Sequence, residues 1–213
     1  MFKDDLRSSI DGVVLPMTRA ISWLGITPNM VTFANFGVNL VAAFFLAKGY
    51  LIWTGILIIF AGVLDHMDGA VARITNQSRP SGALLDSVVD RYSEIAVFFG
   101  LLIYLSHLNS SYSVYGVCLV FLSISGSVLV SYIRARAEGL GIECKVGIMQ
   151  RLERVGLITI GILAQGISQS FYEKLQSDGL ILIGVLFVLT IGTHLTAAHR
   201  LIFSCRQLNG INR

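Results

Sequence analysis

Apolar residues fall in six long stretches along this chain, at about Val31–Ala47, Leu51–Leu64, Gly82–Leu105, Tyr115–Ile133, Val155–Ser170 and Leu180–Phe203. Crossing the ~30 Å hydrocarbon core of a bilayer takes roughly 20 apolar residues in a helix. The pattern therefore predicts six transmembrane helices. The second and third stretches are apolar for most of their length and then meet acidic residues, at the end of one and the start of the other.

The opening segment has a different period. Phe2, Leu6, Ile10, Val13, Val14, Met17, Ile21 and Leu24 recur at spacings of three and four, with Lys3, Asp4, Arg7, Asp11 and Arg19 between them. That is the signature of an amphipathic helix, lying in the membrane interface or packed on the cytosolic ends of the bundle. Residues 1–24 are thus expected as a juxtamembrane helix ahead of a membrane domain over 25–213, and no cleaved signal peptide is expected. Thr27-Pro28 suits the start of the first span. The fold class that follows is an all-α integral membrane protein with six transmembrane helices preceded by an N-terminal amphipathic helix.

Composition agrees with this reading. Of 213 residues, 54% are apolar and only 14% charged, against roughly 45–50% and about 25% in soluble domains. Too little charge is present for a water-facing surface, which excludes a disordered chain, a nucleic-acid-binding tail protein and an ordinary cytosolic enzyme. Cys118, Cys144 and Cys205 are too far apart for a CxxC pair and are expected as buried small side chains.

Sorting the charges by position gives orientation. Lys3, Arg7, Arg19, Arg73, Arg79, Arg91, Arg134, Arg136, Lys145, Arg151, Arg154, Arg200, Arg206 and Arg213 gather on one side of the predicted bundle, and only Lys48 and Lys174 fall on the other. Short basic loops mark the cytoplasmic side. Both termini and the loops after spans 2 and 4 are expected there, in the cell membrane.

The acids are the informative charges. Asp65 and Asp68 close the second span three residues apart, and Asp86 and Asp90 open the third four apart. Each pair shares a helical face. The short connection Ile74–Ser81 makes the two helices antiparallel neighbours, so the four carboxylates converge below the cytosolic surface. Clustered acids at the edge of an apolar bundle repel one another and lose hydration. Neutralisation by Arg73, Arg79 and Arg91 as surface ion pairs is one reading, but it leaves the repeated helical spacing unexplained. An all-oxygen site for Mg²⁺ or Mn²⁺, holding two ions, is the better one, and cations so held bind phosphate oxygens. A transporter with intramembrane acids for a transported cation is a further alternative. Against it, the acids cluster at one cytosolic edge. Gly69 and Ala72 share the face of Asp65 and Asp68, and Gly82 lies one turn before Asp86, all leaving room close to the backbone. Arg73, the next residue after Ala72, is suited to a phosphate.

The pattern Asp65-x2-Asp68-Gly69-x2-Ala72-Arg73-x8-Gly82-x3-Asp86-x3-Asp90 resembles the signature of the CDP-alcohol phosphotransferase family, with eight fixed positions over 26 residues and none missing. The resemblance implies a usually homodimeric membrane enzyme that moves a phosphoalcohol group from a CDP-linked donor to a hydroxyl acceptor and releases CMP. It implies that Asp65, Asp68 and Asp86 bind metal. Asp90 is implied as general base beside a metal, and Gly69, Ala72 and Arg73 lie against the cytidine diphosphate, with Gly82 near them. A CDP-diacylglycerol-type lipid, or an archaeal ether analogue, is the implied donor.

A second cluster bears on the acceptor. Span 4 ends Arg134-Ala135-Arg136-Ala137-Glu138, span 5 opens Gln150-Arg151-Leu152-Glu153-Arg154, and span 6 carries Arg200. Arg134, Arg151, Arg154 and Arg200 sit where helices have their cytosolic ends, and an acceptor bearing its own phosphate would need such a pocket. The run resembles the phosphatidylinositol-phosphate synthase branch, with Gln150 and Leu152 where that branch has Glu and Pro. The expected acceptor is therefore inositol 1-phosphate, with glycerol 3-phosphate as the alternative.

Overall fold

The computed structural model describes residues 27–74, 79–108, 111–171 and 179–210, and of 66–74 the backbone alone. Six α-helices account for nearly all of them: α1 Pro28–Ala47, α2 Leu51–Ile74, α3 Pro80–Ser106, α4 Ser113–Glu138, α5 Arg151–Phe171 and α6 Leu180–Leu208. No strand occurs among the described residues. The juxtamembrane helix expected over 1–24 lies outside them.

Each helix contains one of the six apolar stretches and most run past its ends, because backbone hydrogen bonding does not stop where hydropathy does. α2 continues through its acids to Ile74, and α3 starts at Pro80, where the missing proline N–H costs nothing. α1 begins as its sequence predicts. The Met30 N–H bonds to the Thr27 carbonyl at 3.0 Å and meets the Thr27 hydroxyl at 3.4 Å, so Thr27 caps the helix.

Three of the helices, α1, α4 and α6, are long and apolar enough to cross a membrane. α2 is apolar over Leu51–Asp65, whereas α3 carries Asp86, Asp90, Arg91 and Glu94 and α5 carries Arg151, Glu153, Arg154, Gln165 and Gln169. Large apolar side chains such as Phe44, Trp53, Phe99, Phe121 and Phe187 stand more than half exposed. That outer surface suits lipid and would be a liability in water.

The chain divides into two compact units, one of Met1–Ala42 with Ile56–Val97 and the other of Ala43–Gly55 with Phe98–Arg213. In the second, α6 packs on α4 and on α5 around Ile162, Leu182, Leu186 and Leu189, all fully buried. Polar links cross the contact. The Ser123 hydroxyl donates to the Leu186 carbonyl at 3.2 Å and shares a 2.8 Å bond with Thr190, as polar residues between membrane helices do. Gly100 lets two backbones meet: a Cβ there would lie 3.0 Å from Ala43 Cα and closer still to its carbonyl oxygen. Of the cysteines, only Cys144 is buried. Cys118 and Cys205 are exposed, since a membrane helix can turn a small thiol to its apolar outer face without the solvation cost it would meet in water.

Candidate metal centre

In the first unit, the antiparallel return of α3 beside α2 brings acids distant in sequence together. Asp65, Asp86 and Asp90 each place a carboxylate oxygen within 4.8 Å of the others. Asp65 and Asp86 are half-buried, and Asp90 is only 7% exposed. The side chains of Asp68, Gly69, Ala72 and Arg73 lie outside the described residues. Gly82 is half-buried at the start of α3, where an added Cβ would come 3.6 Å from the Asn29 Oδ1.

Three carboxylates at this separation fit a hard divalent cation. Their oxygens are the donors that Mg²⁺ and Mn²⁺ take, and neither thiol nor imidazole is among them. One turn beyond Asp90, on the same α3 face, Ser93 is buried and its hydroxyl has no partner among the described residues.

α1 contributes residues that the hydropathy pattern passed over. Asn29, Thr32, Asn35 and Asn39 recur at spacings of three, three and four in an otherwise apolar helix, so they form one polar stripe. Thr32, Asn35 and Asn39 are all buried. The Asn35 amide donates to Asp65 Oδ1 at 3.4 Å. The signal was present in the sequence: amides at helical spacing in a membrane span are costly unless they have partners.

The arginines expected around the acceptor belong to the second unit. Arg134 is exposed and pairs with Glu138 one turn on, Nε to Oε1 at 2.8 Å. Arg154 is 3% exposed, and its Nη1 donates to the Met149 carbonyl at 3.1 Å. Arg200, also 3% exposed, donates from Nε to the Val146 carbonyl and from Nη1 to the Val130 carbonyl, each at 2.8 Å. Arg134, Arg154 and Glu138 all act electrostatically on Arg200, which places them in one neighbourhood. Arg151, half-buried, is one helical turn before Arg154 on α5.

Arg200 thus ties the 139–150 loop to α4. Gly147 lies at φ +109°, where a side chain is strained, and a Cβ on it would come 3.6 Å from the Arg200 Nε. The Met149 N–H bonds to the Thr196 hydroxyl at 3.1 Å. At the loop's exposed edge, the Lys145 ammonium bonds to the Glu143 carboxylate and holds that carboxyl below its usual range.

Comparison with known proteins adds to the geometry. The family model described as CDP-alcohol phosphatidyltransferase matches residues 25–193. An archaetidylinositol phosphate synthase of Methanothermobacter thermautotrophicus is 36% identical over 141 residues, 66% of this chain and 68% of the relative. A phosphatidylinositol phosphate synthase of Mycobacteroides abscessus is 31% identical over 161 residues, 75% of this chain and 72% of the relative. Among solved structures, Mycobacterium tuberculosis phosphatidylinositol phosphate synthase with CDP-DAG bound superposes with a TM-score of 0.79 at 27% identity, covering 90% of this chain and 93% of that one. The same enzyme in complex with manganese and citrate also gives 0.79 at 27% identity, covering 90% of this chain and 88% of that one.

Proposed function

The chain belongs to the CDP-alcohol phosphatidyltransferase family, and from that premise we propose that it transfers a phosphatidyl group from CDP-diacylglycerol, or an archaeal ether analogue, to inositol 1-phosphate. The products are a phosphatidylinositol phosphate and CMP. The observation that carries the reading is the meeting of the Asp65, Asp86 and Asp90 carboxylates within 4.8 Å. Relatives named for inositol-phosphate acceptors support the choice of acceptor, and a structural neighbour with CDP-DAG bound supports the donor.

Asp65, Asp86 and Asp90, with Asp68 from the same motif, hold Mg²⁺ or Mn²⁺, and a neighbour in complex with manganese supports the metal. When bound, two such ions neutralise the pyrophosphate oxygens and the charge developing on the leaving phosphate. Asp90 takes the proton of the attacking inositol hydroxyl on a carboxylate oxygen. The hydroxyl oxygen bonds to the lipid-bearing phosphorus, and the bond from that phosphorus to the CMP oxygen breaks. Gly69, Ala72 and Gly82 leave space for the nucleotide, and Arg73 pairs with its phosphates. Arg134, Arg151, Arg154 and Arg200 receive the phosphate of the acceptor, for which arginine forks are suited.

The membrane arrangement we infer has six spans over 25–213, a juxtamembrane helix over 1–24, and the site and both termini on the cytoplasmic side. The gathered Lys and Arg residues support the orientation. The family resemblance supports a homodimer.

Purified protein given CDP-diacylglycerol, MnCl₂ and inositol 1-phosphate should release CMP, and Asp90→Asn should lower the rate at least ~100-fold with the fold intact. Full turnover by Asp90→Asn would remove Asp90 from the mechanism. Preferential use of glycerol 3-phosphate in a competition assay would overturn the acceptor assignment.

A further inference from the structure

Buried amides in a membrane span must be doing something, because their desolvation is otherwise uncompensated. Asn35 and Asn39 are 4% and 9% exposed, one turn apart on α1. Asn39 Nδ2 donates both to the Asn35 backbone carbonyl at 2.9 Å and to Asn35 Oδ1 at 3.1 Å. The second bond sets the orientation of the Asn35 amide. With its oxygen held as acceptor by Asn39, its nitrogen is turned the other way, where it donates to Asp65 Oδ1 at 3.4 Å. That last bond is long, so its effect on Asp65 comes less from strength than from the fixed aim of a donor that cannot rotate away.

We propose that Asn39 and Asn35 form a neutral hydrogen-bond relay that positions Asp65 for the divalent cation. Asn35 is thus a positioning residue of the metal centre and Asn39 its buttress. The proposal rests on the metal-centre reading given above. A carboxylate offers about four acceptor positions, so one bond from Asn35 can orient Asp65 without displacing a cation. Neutrality matters as much as direction. A lysine or arginine in place of Asn35 would compensate the carboxylate charge and compete with the cation, whereas an amide fixes the rotamer without displacing it. Partners of this kind, one step behind the metal ligands, change metal affinity by about 10- to 100-fold when removed.

The experiment titrates Mn²⁺ into purified full-length protein in detergent micelles and follows the electron paramagnetic resonance signal of unbound Mn²⁺, with thermal unfolding in chelator as the check on folding. Asn35→Leu, similar in volume and at home in an apolar helix, should bind Mn²⁺ about 10-fold more weakly while unfolding in chelator at or above the wild-type temperature. Asn39→Leu should weaken binding by a smaller factor. The double variant should be no weaker than Asn35→Leu alone, because both act through one bond. Wild-type Mn²⁺ affinity in folded Asn35→Leu overturns the proposal, as does wild-type affinity in folded Asn39→Leu should the first variant not fold. Full additivity in the double variant overturns the relay. Failure of the wild-type protein to bind Mn²⁺ would instead overturn the metal-centre reading, and this proposal with it.

Discussion

Neutralising one ligand of the carboxylate cluster should change stability in opposite directions with and without metal. Two unit charges 4.8 Å apart repel by ~0.9 kcal/mol at the dielectric constant of water and by ~3.5 kcal/mol at an effective value of 20. Asp86 faces two such partners, Asp65 and Asp90, at that separation or less. Asp86→Asn keeps the shape and removes both repulsions, gross terms of roughly 2–7 kcal/mol. Asp65 and Asp86 are half-exposed to solvent and Asp65 already accepts a bond from Asn35, so the lower end is the realistic one. For a chain of this size ~2 kcal/mol corresponds to about 4–8 °C in unfolding temperature. In chelator, then, Asp86→Asn should unfold several degrees above wild type. Added Mn²⁺ at 100 times its dissociation constant should raise wild type by about 2.7 kcal/mol and leave the variant nearly unmoved, so the two stabilities cross. Differential scanning fluorimetry in detergent, with EDTA or with MnCl₂, reads both arms. A variant less stable than wild type in EDTA would refute the reasoning, since the cluster would then be held by its own contacts and not strained for lack of a cation.

Two other predictions concern the second unit. Arg200→Met removes the donors to the Val146 and Val130 carbonyls, and losing a hydrogen bond from a charged donor costs about 1.5–3 kcal/mol. The expected result is a lower unfolding temperature and rapid proteolytic nicking within residues 139–150, and a loop as protease-resistant as wild type would contradict it. Gly100→Ala sets a Cβ 3.0 Å from Ala43 Cα. Because the obstacle is backbone, the usual helix preference for alanine should reverse into a destabilisation of about 1–3 kcal/mol, measurable as a fall in unfolding temperature.

The two site clusters differed in how far they could be read from residue order. Asp65, Asp86 and Asp90 were legible because the period of a helix places residues three or four apart on one face, and a short connection between two helices leaves few ways to return. The structure brings those three together. For the arginines, residue type and the ends of apolar stretches gave the neighbourhood but not the bonding. Nothing near Arg200 in sequence announces that its partners are the carbonyls of Val130 and Val146, 70 and 54 residues away. Nor does sequence say that Arg134 stands exposed against Glu138 while Arg154 is buried. The stripe of Asn29, Thr32, Asn35 and Asn39 was legible and went unread, because a hydropathy window averages away a few amides among many apolar residues.

By itself, then, the order of residues determined the helices, their apolar exposed faces and the register of the acids. These follow from local periodicity and from the cost of placing charge in hydrocarbon, both properties of short segments. Only the tertiary structure decided which buried polar groups became each other's partners. It placed Asn35 on Asp65 across 30 residues of chain and turned Arg200 inward to tie the 139–150 loop to α4. A hydrogen bond is made by distance and direction in space, and a buried donor takes whichever acceptor packing brings within about 3 Å.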